Sequence, residues 1–250
     1  MQVSYGVLTN QGGRPVNEDS VGAFVGEDDN DCFIVCDGLG GHGMGDVASS
    51  LVVNSFKESL EGGNEEKPKV NEGESFLSKA FEKAQDELLA DQVARHAQHQ
   101  MKTTAAVLFF QGSNAYIGHV GDSRVYWFHR GKVKRRTLDH SIPQMLALTK
   151  DIKEKEIRNH PQRSYVLRVM GVRWEDPQYE LAKPIKVGKH DTFLLCSDGF
   201  WELIEETDMQ ALLKKAESPD EWLEKMEERV KVNGEGREMD NYSAIAVWCS

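Results

Sequence analysis

Apolar positions recur along the chain with two periods, and the switch between them marks its elements. Alternating or continuous apolar runs rich in Val, Ile, Phe, Tyr and Thr, bounded by Gly, Asn and Asp, predict strands. They cover residues 3–10 (VSYGVLTN), 20–26 (SVGAFVG), 32–37 (CFIVCD), 103–110 (TTAAVLFF), 115–120 (AYIGHV), 124–129 (RVYWFH), 192–197 (TFLLCS) and 242–249 (YSAIAVWC). Helical spacing puts Val47, Leu51, Val52, Phe56 and Leu60 on one stripe of a helix over 46–60, with Asp46 as its N-cap. The same spacing through Phe76, Ala80, Phe81, Ala84 and Leu88 predicts a helix over 76–98, and further helices are predicted over 208–216, 219–232 and about 142–149. Short Gly-containing connections at 111–114 and 121–123 predict hairpins joining 103–110 to 115–120 and 115–120 to 124–129. Two helices follow the third strand and two precede the last, so strands and helices segregate. That pattern indicates an α+β fold of mostly antiparallel strands, not a doubly wound parallel sheet.

Between the first two helices, residues 61–75 (EGGNEEKPKVNEGES) read as a solvated acidic loop. A longer irregular stretch over 137–171 carries His140, Pro143, His160 and Pro161, and connections of that length are more often functional than idle. The chain shows no internal repeat, so one domain over 1–250 is the economical reading.

Composition adds a constraint and a puzzle. The 250 residues are 39% hydrophobic and 28% charged, ordinary for a soluble globular protein, with 30 Lys+Arg against 41 Asp+Glu for a net charge of -11. Nucleic acid and anionic membranes are gripped through clustered Lys and Arg, so neither is expected as a partner. The same acidity sits awkwardly with a phosphorylated substrate. No secretory signal is readable at the N-terminus and no apolar run is long enough to cross a membrane. Cys32, Cys36, Cys196 and Cys249 lie in apolar strand-like stretches without zinc spacing, and are expected to be buried reduced thiols in a cytoplasmic protein.

Candidate chemistry centres on CFIVCDGLGGHGMGD, an apolar strand ending in Asp37, then a glycine-rich turn holding His42, then a helix. Residues 38–43 satisfy G-x-G-x-x-G, the dinucleotide-binding pattern, but Asp37 would set a carboxylate against a pyrophosphate. Glu58, the acid about 20 residues on, falls on a helix, not at a strand end. The alternative makes Asp37 a ligand of a hard divalent cation, with the glycines admitting the backbone close enough for a carbonyl to coordinate. One carboxylate is too few, and others do recur at strand ends: Asp198-Gly199, Asp240-Asn241, Glu18-Asp19 and Gly121-Asp122. Any one alone reads as turn chemistry. Together they suggest acids converging at one end of a sheet.

These residues carry a resemblance. Arg14 and Glu18-Asp19, Asp37-Gly38-Leu39-Gly40-Gly41-His42, Thr103-Thr104-Ala105, Gly121-Asp122-Ser123-Arg124, Asp139-His140-Ser141, His160-Pro161 through Met170-Gly171, Ser197-Asp198-Gly199 and Asp240-Asn241 stand in the order found in the metal-dependent protein phosphatases (PPM, the type-2C Ser/Thr phosphatases). The resemblance covers residues 14–241 and is closest to the compact bacterial members. It implies a four-layer αββα sandwich, two antiparallel sheets flanked by helices, with a centre of two Mn2+ or Mg2+ ions at one end. Asp37 would bridge the ions, the carbonyl of Gly38 would complete one site, and Asp198 and Asp240 the other. Glu18 and Asp19 would act from the rim, and Asp122 with Asp198 would hold a possible third ion.

The resemblance further implies hydrolysis of phosphoserine and phosphothreonine on proteins by a metal-bridging hydroxide. Arg14 would bind the phosphoryl group and His42 would serve as general acid. Thr103 and Thr104 would pack beneath the site, and 141–171 would form a flap bordering it. Lys102 departs from the glycine usual there. His119, His129 and His190 have no such context and are expected to be structural or surface residues. Implied partners are phosphorylated proteins and a Ser/Thr kinase system, met by a cytoplasmic monomer. A catalytically silent relative and a small-molecule phosphatase remain as alternatives, although Asp37, Asp198 and Asp240 are all present. Because the chain stops just past its last predicted strand, it is expected to be either a free domain or a fragment.

Overall fold

The computed structural model of the chain describes residues 1–26, 30–39, 43–62, 72–98 and 100–250. Its strands are β1 (Val3–Asn10), β2 (Asp19–Val25), β3 (Asn30–Leu39), β4 (Lys102–Thr103), β5 (Ala105–Gln111), β6 (Asn114–Val120), β7 (Arg124–His129), β8 (Lys132–Arg136), β9 (Glu180–Leu181), β10 (Ile185–Lys186), β11 (Asp191–Cys196) and β12 (Tyr242–Cys249). Its α-helices are α1 (Gly45–Glu61), α2 (Gly73–Ala94), α3 (Ile142–Leu148), α4 (Asp198–Trp201), α5 (Glu206–Leu213) and α6 (Pro219–Gly234), with a 3-10 turn at Glu154–Asn159. One sheet runs β1-β12-β11-β7-β8 and the other β10-β6-β5-β3-β2, with β4 paired to β3 and β9 to β6; every strand pairing is antiparallel.

Period-two alternation builds the layers. In β3, Phe33 and Val35 face the opposite sheet while Cys32, Ile34 and Cys36 face α1 and α2. In β11 and β12, Phe193, Leu195, Ile245 and Val247 fill the space between the sheets. Leu194, Cys196, Ala244 and Ala246 lie under Trp222, Leu223 and Met226 of α6. Both faces of the central strands are thus apolar, which is why they read as continuous hydrophobic runs. The result is the expected αββα sandwich. The four cysteines are free and buried.

Three local expectations need correction. The 121–123 connection is not a hairpin turn: β6 and β7 belong to different sheets, and Gly121, at φ +101, carries the chain across. This crossing places Asp122 between the sheets at one end of the sandwich. Asp46 is not the N-cap of α1, a position taken by Met44; it lies in the first turn, where its charge suits the helix dipole. The amide of Gly45 is met instead by the carboxylate of Glu18, a residue distant in sequence. Finally, α2 stops at Ala94, short of residue 98. There the side-chain amide of Gln92 donates to the carbonyls of Met101 and Gly171, tying down the returning chain, and His96 takes a left-handed φ of 55.

β8 was not predicted. KVKRR offers a single apolar residue, and such basic edge strands resist pairing with other chains at the cost of a weak sequence signal. The loop over 61–75 falls mostly outside the described residues. Among the described residues, no helix is long and apolar enough to cross a membrane.

Candidate active site

The strand-end acids converge. Asp19 and Asp37 are direct partners in the β2–β3 register. By alternation both share the inner face with Val35 and Val21. Asp198 starts α4 immediately after β11, and Asp240 precedes β12, the neighbour of β11. The carboxyl groups of Asp37 and Asp198 share a hydrogen bond. Asp19 Oδ2 accepts from Ser197 Oγ at 2.8 Å, and that serine oxygen accepts from the amide of Ser243 at 2.9 Å. Asp122, 2% exposed, faces the same group from the crossover turn.

Charge, not contact, defines this site. Burial first, and mutual repulsion second, push the carboxyls of Asp37 and Asp122 well above the ordinary carboxylate range. Asp198 is raised for the same reasons, and Asp19 is pushed up to about 7 by burial against the opposing hydrogen bonds of Ser197 and Ser243. Glu18 is raised by burial as well. Arg124 acting on Asp122, Arg163 on Asp198 and Arg14 on Glu18 do not offset this, and divalent cations with oxygen ligands would.

The backbone fits the same reading. A Cβ on Gly38 would lie 2.2 Å from the Gly45 carbonyl oxygen and 2.5 Å from that of Glu18, so only glycine lets the strand end, the rim loop and the start of α1 meet. An all-oxygen set of carboxylates beside such a cradle suits Mg2+ or Mn2+.

Arg14 sits at the rim, half exposed, with Nη2 2.8 Å from Asp240 Oδ2. His42 lies outside the described residues. Thr103 and Thr104 hold the floor, as expected. The amide of Asp37 donates to Thr104 Oγ1 at 3.0 Å, Thr103 Oγ1 donates to the Asp37 carbonyl at 2.9 Å, and Thr104 Oγ1 is 2.7 Å from Ser123 Oγ. Lys102 is accommodated because it is extended, opposite Leu39 in the β3–β4 pair.

The 141–171 segment borders this floor through an isolated bridge between Thr103 and Met170. It is pinned to α5 by Arg158–Glu206 at 2.6 Å and to the residue after α4 by Arg163–Glu202 at 2.9 Å, on the layer covering the β1-β12-β11-β7-β8 sheet. Its Met145, Leu148, Tyr165 and Leu167 are exposed.

Sequence reasoning assigned no role to three supports of the site. Asn241 accepts from the amide of Glu18 at 2.9 Å and donates to the carbonyls of Gln11 and Val16, fixing the loop that carries Arg14. Ser197 orients Asp19, as above. Trp201 donates to the Asp122 carbonyl at 2.9 Å while the Arg124 guanidinium stacks on its ring at 3.3 Å. Their only signal was position beside the acids, which does not separate a supporting residue from a turn residue.

Known proteins resemble this chain in sequence and in fold. A model of the family Protein phosphatase 2C matches residues 11–240. The serine/threonine phosphatase stp of Listeria monocytogenes is 32% identical over 205 residues, covering 80% of this chain and 79% of the relative. The serine/threonine phosphatase Stp1 of Staphylococcus aureus superposes with a TM-score of 0.89 at 26% identity, over 100% of this chain and 96% of that one. The catalytic domain of the phosphatase PstP in complex with 2 manganese ions superposes with a TM-score of 0.81 at 23% identity, covering 98% and 97%. With the matched span reaching from the loop before Arg14 to Asp240, so that it includes every strand-end acid of the site, the chain belongs to the protein phosphatase 2C family and is a phosphatase of that type.

Proposed function

We propose that this chain removes phosphate from serine and threonine of phosphorylated proteins, at the carboxylate centre and with two divalent cations, Mn2+ or Mg2+. One observation carries the reading: acids from five separate segments meet, and on Asp19, Asp37, Asp122 and Asp198 burial and like-charge repulsion outweigh whatever Arg14, Arg124 and Arg163 offer at their edge. The names of the relatives and the manganese in the PstP catalytic domain support it. Asp37, with the carbonyl of Gly38, would hold both ions, together with Asp198 and Asp240. Glu18 and Asp19 would contribute from the rim, and Asp122 with Asp198 would hold a third. Ions bound there supply Lewis acidity toward phosphoryl oxygens and a water acidified to near neutral pH.

The chain's own residues do the rest. Arg14 spends one donor on Asp240 and keeps others in its planar fork for the phosphoryl oxygens, where charge grows as the bond to phosphorus breaks. Asn241 holds the Arg14 loop in place. His42, between Asp37 and α1 in the sequence, would hand a proton to the departing seryl or threonyl oxygen. The cations also resolve the puzzle of an acidic chain acting on phosphate, because they reverse the sign of the local charge. The reading places the protein as a cytoplasmic monomer opposite a Ser/Thr kinase system.

Turnover of a phosphothreonine peptide and of an aryl phosphate tests the reading. Both are expected only with added Mn2+ or Mg2+, and equal rates in excess chelator would refute it. His42→Ala should slow the peptide far more than nitrophenyl phosphate, by about 10²-fold or more, because nitrophenolate leaves without a proton. Equal losses on the two substrates would remove His42 from the acid role.

A further inference from the structure

The turn that carries Asp122 touches a second polar cluster, outside the carboxylate centre. His119 in β6 and His140 after β8 are buried, at 3% and 8% exposure, and their rings stack with centroids 4.6 Å and planes 23° apart. Glu180 is the partner of His119 in the β6–β9 pair, and its Oε2 lies 3.6 Å from His140 Nε2. One ligand atom from each of the three lies within 4.8 Å of the others, a tighter grouping than the strand-end acids of the carboxylate centre make.

The hydrogen bonds fix where the protons are. Burial holds His119 below its ordinary range and His140 down at about 3, so both rings are neutral, each with one N–H and one lone pair. His119 Nε2 lies 2.8 Å from the Leu138 carbonyl oxygen, which only an N–H can face, leaving the lone pair on Nδ1. The backbone carbonyl of Glu180 bears on the same ring, and a carbonyl holding the N–H of one ring nitrogen, with the lone pair on the other, is how metal-ligating histidines are held. His140 Nδ1 accepts from the Gly121 amide at 3.2 Å, and its Nε2 is buried without a hydrogen-bond partner, since Glu180 is too far to serve.

We propose that His119, His140 and Glu180 form an accessory site for a borderline first-row cation of the Zn2+ or Co2+ class. Two imidazole nitrogens and one carboxylate suit such ions, whereas Mg2+ prefers the all-oxygen centre. Glu180 is exposed and gives the ion its way in. Arg168 bears on the same ring and opposes a cation, so the Glu180 carboxylate must close onto the ion to offset it.

Ligation at His140 has a consequence for Asp122. The ion takes the Nε2 lone pair, the proton there moves to Nδ1, and Nδ1 can no longer accept from Gly121. That turn has little slack, because a Cβ on Gly121 would lie 2.5 Å from Thr104 Cγ2. Filling the accessory site therefore works against the turn that presents Asp122.

Long-range proton–nitrogen NMR of the imidazoles tests this in the full chain, saturated with Mg2+ and titrated with Zn2+. The readout is the ring nitrogens themselves, so it is independent of the phosphatase reading. His119 Nδ1 and His140 Nε2 are expected to shift together while His140 Nδ1 gains a proton. Glu180→Gln, at an exposed position, should weaken Zn2+ binding by at least about tenfold and leave Mg2+-dependent aryl phosphate turnover unchanged. His119→Asn supplies a second variant and should weaken Zn2+ binding by a comparable factor, read from the shift of His140 Nε2. The proposal is overturned if both rings stay in place through excess Zn2+, as they would if Zn2+ merely replaced Mg2+ in the carboxylate centre. It is overturned equally if both variants bind Zn2+ as tightly as the wild type.

Discussion

Asp37→Asn is expected to lower turnover by ~10³-fold or more, a loss of about 4 kcal/mol of transition-state stabilisation, without unfolding the protein. The two halves of that expectation have separate causes. Asp37 is the acid against which Asp19, Asp122 and Asp198 all press, so its charge is the one most needed when cations occupy the centre. In chelator that charge is a burden. An amide keeps a hydrogen bond to Asp198 and removes the repulsion, so the variant should melt at the same temperature as the wild type or higher. Added Mn2+ separates the two proteins again. Ion binding at about 100 times its dissociation constant stabilises a folded protein by about 2.7 kcal/mol, and the wild type should gain on that scale while Asp37→Asn gains much less. Thermal melting with and without Mn2+, beside turnover of an aryl phosphate, reads both effects. A variant that keeps wild-type activity, or the full Mn2+ shift, would remove Asp37 from the centre.

What could be read from sequence and what could not follows from the range of the forces. The stripes on α1 and α6 and the apolar runs of β3, β5, β11 and β12 are local patterns, and each element formed where its pattern lies. The acids were legible only as a set: each alone, at one end or the other of an apolar run, is ordinary turn chemistry, and it was their recurrence and order along the chain that set them apart. Pairing was harder. A Gly-Asp-Ser connection looks the same whether the chain turns back in one sheet or crosses to the other, and only the packing of Val125 against the far sheet decides it. β8, with Val133 as its one apolar residue, and the two-residue strands β9 and β10 owe their place to neighbours. The supports of the site are longer-range still. Asn241 reaches Glu18 across 223 positions and Ser197 reaches Asp19 across 178, and no spacing rule spans such distances. His119 shows the same limit: read as merely structural, it stacks on His140 only because β6 and the segment after β8 meet.

The largest effect on folding is expected at Asp139, the acid of the Asp139-His140-Ser141 stretch, which takes no part in the carboxylate centre. Its two oxygens receive Arg124 Nε at 2.7 Å and Nη2 at 2.6 Å, with side-chain exposures of 1% and 2%. Such a pair owes its cost to desolvation, and breaking it strands a buried charge. Arg124 would be left with Tyr126 and with Glu206 at 3.8 Å, neither of which replaces a bidentate carboxylate. Asp139→Ala should therefore destabilise the fold by roughly 3–5 kcal/mol, and Arg124→Met by a comparable amount. The double variant Arg124→Met with Asp139→Leu should lose less than the sum of the two, because it buries no unpaired charge. Activity ought to follow through geometry: Arg124 stacks on Trp201, and Trp201 holds the carbonyl of Asp122, so a loosened pair displaces the crossover turn even where the fold survives. Urea denaturation of the three variants measures the first effect, and turnover at a temperature well below each midpoint measures the second. A loss under about 1 kcal/mol in Asp139→Ala, the scale of an exposed ion pair, would show that water reaches Arg124 and that the pair is not an anchor of this end of the sandwich.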